Sequence, residues 1–323
     1  MEKRTLGNSD LSITRLGFGA WAIGGGGWTY GWGPQDDRAS VGAIRRALDL
    51  GVNWIDTAAV YGFGHSEEIV AKALEGVSLR PYVFTKCGLV DDGTRNPKRS
   101  LRSESIRAEA EASLKRLRVA AIDLYQIHWP HKGFLEAWET MAALRKEGKV
   151  RWIGVSNFDV PRLKEIARIA PVTSLQPPYS LVNPQSEKAE LPWCREEGIG
   201  VIVYSPMYSG LLSGAMTEAR VASFPSDDWR SRDPEFRPPR IGRHLRLVEL
   251  LRTIASEHGC SPGEVAISWT LRRPEVTGAI VGARSAAQVD GWIGAGSLEL
   301  TDGDLKRIDD FCTAFPSEAG PLA

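Results

Sequence analysis

The chain has 323 residues, of which 42% are hydrophobic and 25% are charged, as is typical of a folded soluble protein with a large core. Its 40 basic and 40 acidic residues cancel, and no basic block occurs, which argues against nucleic acid as a partner. No apolar run approaches the roughly 20 residues that a membrane helix needs, so we expect no membrane insertion.

The start of the chain and the cysteines together predict a cellular compartment. The first residues are polar and turn-like and lack the apolar core of a signal peptide. The four cysteines are scattered and form no Cys-x-x-Cys pair, which favours reduced thiols. We therefore predict a cytoplasmic protein.

Short apolar, β-branched runs recur along the chain and predict strands. A turn at Gly7 to Asp10 predicts a small N-terminal β-hairpin within residues 3–15. The strands expected after it span 16–20, 52–55, 82–85, 122–127, 150–155, 174–176, 200–204 and 278–281.

Amphipathic segments separate these strands and predict helices. The expected helices span 36–50, 66–75, 100–117, 134–147, 160–169, 187–197, 243–258, 262–273, 285–294 and 302–313. Ser66 is expected to cap the second of them. Between strand and helix, the basic run Lys98, Arg99 and Arg102 favours a solvated loop.

Regular alternation of strand and helix predicts an α/β fold, the (β/α)8 TIM barrel, with residues 1–323 forming a single domain. An open doubly wound sheet is the alternative. The barrel is favoured because the glycine run 24–27 lacks the spacing of a dinucleotide fingerprint and no helix follows it at once. The long irregular stretch 207–242, after strand 7, exceeds ordinary loop lengths and suggests a binding loop.

Four ionisable side chains stand at or just beyond predicted strand ends, namely Asp56, Tyr61, Lys86 and His128. An Asp after a strand is often only a turn or cap residue, and a Tyr in a glycine-rich loop is often only a lid over the core. In a barrel, however, the carboxyl ends of the strands converge on one face.

The chemistry of these four groups fits together. A phenol with an ordinary pKa of about 10 is a weak acid, and a nearby Lys cation is expected to lower that pKa. Asp56 would hold the cation, and His128 would orient a carbonyl oxygen toward the phenol. The set predicts a general-acid site for carbonyl reduction, given a hydride source.

The sequence resembles the aldo-keto reductase superfamily, in its bacterial branch related to aryl-alcohol dehydrogenases and potassium-channel β-subunits. The resemblance is carried by short motifs in the family's order over nearly the whole chain. They are Leu16 to Gly19 with Trp21, Gly51 to Ala58 with Tyr61, Gly62, Ser66 and Glu67, Thr85-Lys86, Asp123 to His128, Gly154 to Phe158, Gln176 with Tyr179, Tyr204 to Pro206, and Gly282 to Arg284.

The resemblance implies a barrel that binds NADP(H) without a Rossmann motif and acts on a small-molecule carbonyl or alcohol. It implies Tyr61 as proton donor, Lys86 and Asp56 as groups that tune it, and His128 as the group that positions the substrate carbonyl. Nicotinamide contacts are implied for Ser156, Asn157, Gln176 and Tyr204, and pyrophosphate contacts for Ser205, Gly210, Leu211 and Ser213. Further cofactor contacts are implied for Trp21, Gly282, Arg284, Ser285 and Gln288, with Arg284 suited to a 2′-phosphate.

Some residues keep two interpretations. Trp292 stands where the family often has Asn, so it either packs against the barrel, which is favoured, or stacks on adenine. Trp21, Trp32 and Trp129 either line an aromatic substrate pocket or cover the barrel mouth. Cys87 follows Lys86 along a strand and is expected to point away from the site.

Two other functions share these residues. A regulatory module that senses NADP(H) with little turnover, like the channel β-subunits, would keep the same motifs. A metal-dependent barrel hydrolase using Asp56, His128 and His131 is disfavoured because Pro130 breaks the spacing of the two histidines. No metal site is expected.

Overall fold

The protein's computed structural model describes residues 1–317. The chain opens with an antiparallel hairpin of β1 (Lys3–Thr5) and β2 (Ser12–Thr14), which confirms the N-terminal hairpin. Gly7 in its turn has φ +53°, and a Cβ there would lie 2.2 Å from the Thr173 carbonyl oxygen. Glycine is therefore needed for both the backbone conformation and the close approach.

Ten further strands follow. They are β3 (Leu16–Gly19), β4 (Trp54–Asp56), β5 (Tyr82–Cys87), β6 (Leu89–Asp91), β7 (Pro97–Arg99), β8 (Ile122–Ile127), β9 (Val150–Ser156), β10 (Ser174–Gln176), β11 (Gly200–Val203) and β12 (Val276–Gly282). All but β6 and β7 are parallel and close into an eight-stranded barrel, in which β12 pairs back onto β3. The predicted (β/α)8 TIM barrel is confirmed.

Helices surround the barrel. They are α1 (Asp37–Asp49), α2 (His65–Ala73), α3 (Ser103–Leu117), α4 (Phe134–Lys146), α5 (Val160–Ala167), α6 (Glu190–Glu196), α7 (Glu218–Ala222), α8 (Arg240–His258), α9 (Pro262–Leu271), α10 (Ala286–Asp290) and α11 (Asp302–Ala314). Their starts follow from local capping: Asp36 accepts a hydrogen bond from the Ala39 amide, and Ser261 forms a capping box with Glu264. No helix within residues 1–317 is long and apolar enough to cross a membrane.

The barrel interior is filled by large apolar side chains from the strands and the hairpin. Trp54 and Phe84 pack beside Leu6, Leu11 and Ile13, all fully buried. A Cβ on Gly17 would meet the Trp54 indole at 2.2 Å, so the indole fits only because position 17 has no side chain. The hairpin thus closes one end of the barrel and leaves the carboxyl ends of the strands to form the site.

Two local predictions are wrong, the Ser66 cap and the solvated loop at 98–99, and a third, the long connection after strand 7, is confirmed but contains short helices. Gly64, in a left-handed conformation, precedes α2, so Ser66 lies inside the first turn and bonds Thr57 and the Ala20 carbonyl instead of capping. Lys98 and Arg99 belong to β7, which pairs with β6 as an antiparallel hairpin beside the barrel mouth. The long connection after β11 contains α7 and two 3-10 helices, Trp229–Ser231 and Pro234–Phe236.

Candidate active site

A cavity of about 1030 Å³ opens at the carboxyl ends of the barrel strands. The connection after β11 forms much of one side, and the β6–β7 hairpin contributes to another. Every strand of the barrel places its last residues, or the loop after them, at this end. The cavity therefore lies where ligand sites form in this fold.

At the base of the cavity, three of the predicted groups meet. Lys86 Nζ donates to Asp56 Oδ1 at 2.5 Å and to the Thr57 carbonyl at 3.0 Å, and lies 3.3 Å from the Tyr61 hydroxyl. Asp56 and Lys86 are 3% and 1% exposed. Burial excludes water from this ion pair, so its geometry is held by the strands β4 and β5.

His128 completes the predicted set. It follows β8 directly, and its ring packs edge-on against Tyr61, with the ring centroids 5.7 Å apart. Burial, together with the nearby Lys86 cation, lowers the pKa of His128 well below its ordinary value of 6.5. The imidazole is therefore neutral near pH 7 and can act as a hydrogen-bond donor without carrying charge.

The pKa of Tyr61 differs from the expectation that Lys86 lowers it. Burial raises this pKa well above 10, and the Asp56 carboxylate adds to the increase. The same burial lowers the pKa of Lys86, against the opposing effect of Asp56. The net shift at Tyr61 is upward because the desolvation of a phenolate outweighs one cation that is already paired.

The residues expected around the nicotinamide lie together but bond one another. Gln176 donates to Asp56 Oδ2 at 2.9 Å, and the Ser156 hydroxyl donates to the Gln176 carbonyl at 2.8 Å. Asn157 donates to the His128 carbonyl at 2.9 Å and accepts from the Tyr204 hydroxyl at 2.8 Å. These bonds fix the Tyr204 ring at the cavity wall.

The residues expected around the pyrophosphate form a tight turn. Ser205, Tyr208, Ser209 and Gly210 all have positive φ, an arrangement that orients backbone amides in concavities for anions. Within the described chain, the amides of Ser209 and Gly210 donate no hydrogen bond.

Two of the residues expected in this turn are already engaged within it. The Leu211 amide donates to the Tyr208 carbonyl, and the Ser213 amide to the Gly210 carbonyl. Ser213 lines the cavity, whereas the fully buried side chain of Leu211 does not.

Arg284 also lines the cavity, where its Nε donates to Gln35 Oε1 at 2.6 Å and its Nη2 donates to the Pro34 carbonyl. The Arg284 amide in turn donates to Gln288 Oε1 at 2.8 Å. Gly282 lines the cavity with them, whereas Ser285 does not and instead precedes α10.

Trp292 is 2% exposed and packs in the main core, as favoured, with part of its surface at the cavity wall. This packing confirms the core interpretation of Trp292. The other interpretation, a stacking contact with adenine, stays a prediction, since Trp292 lines the cavity together with Arg284 and Gln288.

Aromatic side chains form the remaining wall. Trp21 stacks on Trp229 with centroids 5.2 Å apart and meets Trp32 edge-on at 5.3 Å. Trp129 lines the same cavity, so the pocket interpretation of these tryptophans is supported. Cys87 is buried on the other side of β5 and contacts Met141, which confirms its structural role.

Sequence reasoning missed some residues of the site. Gln126 donates to Asp56 Oδ2 at 3.3 Å, beside Gln176. The sequence could have indicated Gln126, because it lies two positions before His128 on the apolar strand β8. Side chains two positions apart on a strand face the same side, so Gln126 is expected to point into the barrel with His128. Trp229 offered a weaker signal, as an aromatic residue in a long polar connection.

Within residues 1–317, no group of three or more His, Cys, Asp and Glu side chains could hold a metal ion. Six arginines and three carboxylates of the described residues line the cavity, so it is net cationic. Together with the two amides of the turn, this charge fits a phosphate-bearing dinucleotide.

The fold is that of a TIM-barrel enzyme with its cavity at the carboxyl ends of the strands. A model of the aldo/keto reductase family matches residues 15–312. Aldo-keto reductase YhdN of Bacillus subtilis is 37% identical over 313 residues, covering 96% of this chain and 93% of that protein. An NADH-specific methylglyoxal reductase of Escherichia coli is 34% identical over 331 residues, covering 98% and 99%.

A solved structure, the glycerol dehydrogenase AKR11B4 of Gluconobacter oxydans, superposes with a TM-score of 0.88 at 38% identity, covering 100% of this chain and 98% of that one. The chain belongs to the aldo-keto reductase family, whose members act on small molecules with nicotinamide cofactors.

Proposed function

We propose that this protein reduces aldehydes or ketones to alcohols with NADPH, using Tyr61 as the general acid. The observation that carries the proposal is the chain of contacts at the cavity base. The Tyr61 hydroxyl lies 3.3 Å from Lys86 Nζ, which is bonded to Asp56 at 2.5 Å. The phenol can give up a proton, the ammonium group stabilises the phenolate that is left, and the carboxylate holds the ammonium group in place. All three groups lie at the base of a cavity that can hold a substrate.

The proton transfer follows from this geometry. When bound, the nicotinamide cofactor supplies the hydride to the carbonyl carbon. Negative charge then grows on the carbonyl oxygen, and Tyr61 gives it the phenolic proton. Because the pKa of Tyr61 is raised, the phenol is fully protonated beforehand. Lys86 stabilises the phenolate that remains, and water restores the proton when the alcohol leaves.

His128 would position the substrate. Its neutral ring donates one hydrogen bond to the carbonyl oxygen without competing for the Tyr61 proton. The edge-on packing of the two rings, with centroids 5.7 Å apart, holds His128 beside Tyr61. We assign Asp56 and Lys86 the role of tuning Tyr61.

The cofactor would lie along the cavity. Gln176, Ser156 and Asn157 would hold the nicotinamide amide after exchanging their present partners, with Tyr204 and Trp21 beside the ring. Ser205, Gly210, Leu211 and Ser213 would surround the pyrophosphate. Gly282, Arg284, Ser285 and Gln288 would surround the adenosine end, where the guanidinium of Arg284 supports the preference for NADPH.

The remaining assignments are part of the same proposal. We propose that residues 1–323 act as one domain on a small-molecule carbonyl or alcohol. A cytoplasmic location stays a prediction.

A direct assay tests the proposal. Purified protein is mixed with NADPH or NADH and a panel of aldehydes, and cofactor oxidation is followed by absorbance. We expect aldehyde-dependent oxidation of NADPH that Tyr61→Phe reduces by about a hundredfold to ten-thousandfold. Cofactor affinity, measured by fluorescence titration, should stay unchanged in Tyr61→Phe. Turnover retained in Tyr61→Phe would contradict the assignment of the acid, and absent turnover in the parent would favour a cofactor-sensing role.

A further inference from the structure

The β6–β7 hairpin adds a wall to the cavity that the barrel itself does not provide. Leu89 and Arg99 are partners across its ladder, and both line the cavity together with Pro97. Trp129, the residue after His128, lies on the same side. The Arg99 guanidinium carbon is 5.7 Å from the centroid of the Trp129 ring. A cation therefore stands at the substrate end of the cavity.

Arg99 differs from the other cavity arginines in its partners. Arg230 is paired with Asp228 at 2.6 Å, and Arg284 is bonded to Gln35 at 2.6 Å. Across residues 1–317, no carboxylate or carbonyl accepts a hydrogen bond from the exposed Arg99 guanidinium. Its neighbour Lys98 takes the local acidic partner, Asp92, at 3.7 Å. All the donors of Arg99 are thus available to a ligand.

Apolar side chains line the cavity that Arg99 and Tyr61 share. Trp21, Trp129, Val60 and Leu89 line the cavity around the catalytic end. Flat rings favour stacked and edge-on contacts with such walls. A substrate that fills this space has its carbonyl at Tyr61, an apolar body along the tryptophans, and its far end at the rim near Arg99.

We propose that the site takes carbonyl substrates with a flat apolar body and a carboxylate at the far end, and that Arg99 determines this specificity. The inference rests on the proposed function, since the carbonyl is reduced at Tyr61. The carbonyl carbon gains the hydride of the cofactor and the oxygen gains the proton of Tyr61. The carboxylate is unchanged and pairs with the guanidinium, whose planar fork matches its two oxygens.

The expected size of the effect is modest because Arg99 is exposed. A solvent-exposed ion pair changes affinity by about threefold to fivefold, and a bidentate one by roughly tenfold. Salt screens exposed charges, so the preference should shrink as the ionic strength rises. A positive group at the far end of the substrate should be disfavoured.

The test compares 4-carboxybenzaldehyde with methyl 4-formylbenzoate, which has nearly the same shape without the charge. The measured quantity is the ratio of kcat/KM for the acid to kcat/KM for the ester. Comparing this ratio between variants cancels the intrinsic reactivity of the two aldehydes. Arg99→Met removes the charge and keeps most of the side-chain length, whereas Arg99→Lys keeps the charge. Arg102→Met is the matched control, because Arg102 is exposed but does not line the cavity.

We expect the ratio to fall about threefold to tenfold in Arg99→Met, to fall less in Arg99→Lys, which keeps the charge without the fork, and to stay within twofold of the parent in Arg102→Met. An unchanged ratio in Arg99→Met would overturn the proposal. An equal fall in Arg102→Met would also overturn it, because the effect would then come from general surface charge.

A second measurement separates this inference from the proposed function. The product analogue 4-carboxybenzyl alcohol and its methyl ester are titrated while tryptophan fluorescence is followed, since tryptophans line the cavity. Loss of the preference for the acid in Arg99→Met supports the role of Arg99 even if the protein reduces neither aldehyde. Equal affinity of the parent for the two compounds would overturn it.

Discussion

Gln176 donates a hydrogen bond to Asp56 Oδ2 at 2.9 Å. The side chain expected to hold the nicotinamide amide is thus bonded to the carboxylate behind the proton donor. Gln126 donates to the same oxygen at 3.3 Å and also accepts from Gln176 at 3.4 Å. If Gln176 turns to the cofactor, Gln126 remains as the amide donor to this oxygen.

This arrangement predicts different effects for the two amides. Gln126→Leu removes the donor that remains during turnover, and a hydrogen bond to a charged group contributes about 1.5–3 kcal/mol. We expect kcat to fall roughly tenfold while cofactor affinity stays within twofold. Gln176→Leu should instead weaken cofactor binding. Steady-state kinetics and fluorescence titration measure both, and the reverse pattern would contradict the assignment.

The pKa directions at the cavity base predict the pH dependence of turnover. Reduction needs protonated Tyr61, and its raised pKa keeps the phenol protonated until well above pH 10. The lowered pKa of His128 keeps its ring neutral across the same range. We expect kcat for reduction to be flat from about pH 6 to 9, and alcohol oxidation, which needs the phenolate, to rise with pH.

The measurement is a set of kcat profiles in both directions. An inflection in the reduction profile near pH 6.5 that disappears in His128→Gln would show that His128 titrates in this range. That result would contradict a neutral, fully desolvated imidazole.

The position of Arg284 in the cavity leads to a prediction about the choice between NADPH and NADH. A bidentate contact between a guanidinium and a 2′-phosphate is lost in Arg284→Gln, which should raise KM for NADPH about tenfold to a hundredfold. KM for NADH, which has no 2′-phosphate, should change less than threefold. Gln35→Leu keeps the guanidinium but removes its Nε partner, together with the bonds from Gln35 to the Arg284 carbonyl and the Ser40 hydroxyl, and serves as an intermediate control. Equal losses with both cofactors would show that Arg284 does not read the 2′-phosphate.

Glu109 predicts how stability depends on pH. Burial raises the pKa of Glu109 to about 7, although the Gly88 amide and Ser105 hydroxyl donate to it. The folded protein therefore binds this proton more tightly than the unfolded chain, whose carboxyl titrates near 4.5. The contribution of Glu109 to the free energy of unfolding is full below about pH 4.5 and is lost as the pH rises through about 7.

Glu109→Gln removes this loss because an amide does not ionise. We expect it to stabilise the protein at pH 8 by about 1–3 kcal/mol relative to its effect at pH 4.5. Urea unfolding at the two pH values measures the difference. Glu139→Gln, at an exposed position, provides a control for the removal of one carboxylate. A stabilisation that is the same at pH 4.5 and 8 would rule out ionisation of Glu109 as the cause.

The barrel could be predicted from the sequence because the spacing of apolar residues in a strand or a helix is set by neighbouring positions along the chain. The apolar runs and the capping residues of α1 and α9 act within a few positions, so alternation alone defined the architecture. The four groups at the cavity base followed from chemistry at strand ends. The motifs around Ser156 and Tyr204 then placed most of the expected cofactor residues at one end of the barrel.

The remainder depended on contacts between distant segments. The partner of Gln176 is Asp56, 120 positions away, and no local pattern links them. The β6–β7 hairpin was missed because its strands are three residues long and one is basic. The sign of the pKa shift at Tyr61 depends on how completely the loop excludes water, which spacing does not encode.

The N-terminal hairpin that closes the far end of the barrel has a kinetic consequence. Because Leu6, Leu11 and Ile13 pack against Trp54, ligands reach Tyr61 only from the end of the barrel where the strands have their carboxyl ends. In the proposed reaction the nicotinamide end of the cofactor would lie deeper in this blind cavity than the carbonyl compound, so we expect the cofactor to bind first and to leave last. The plug of apolar side chains at one end would thereby favour an ordered sequence of binding and release at the other.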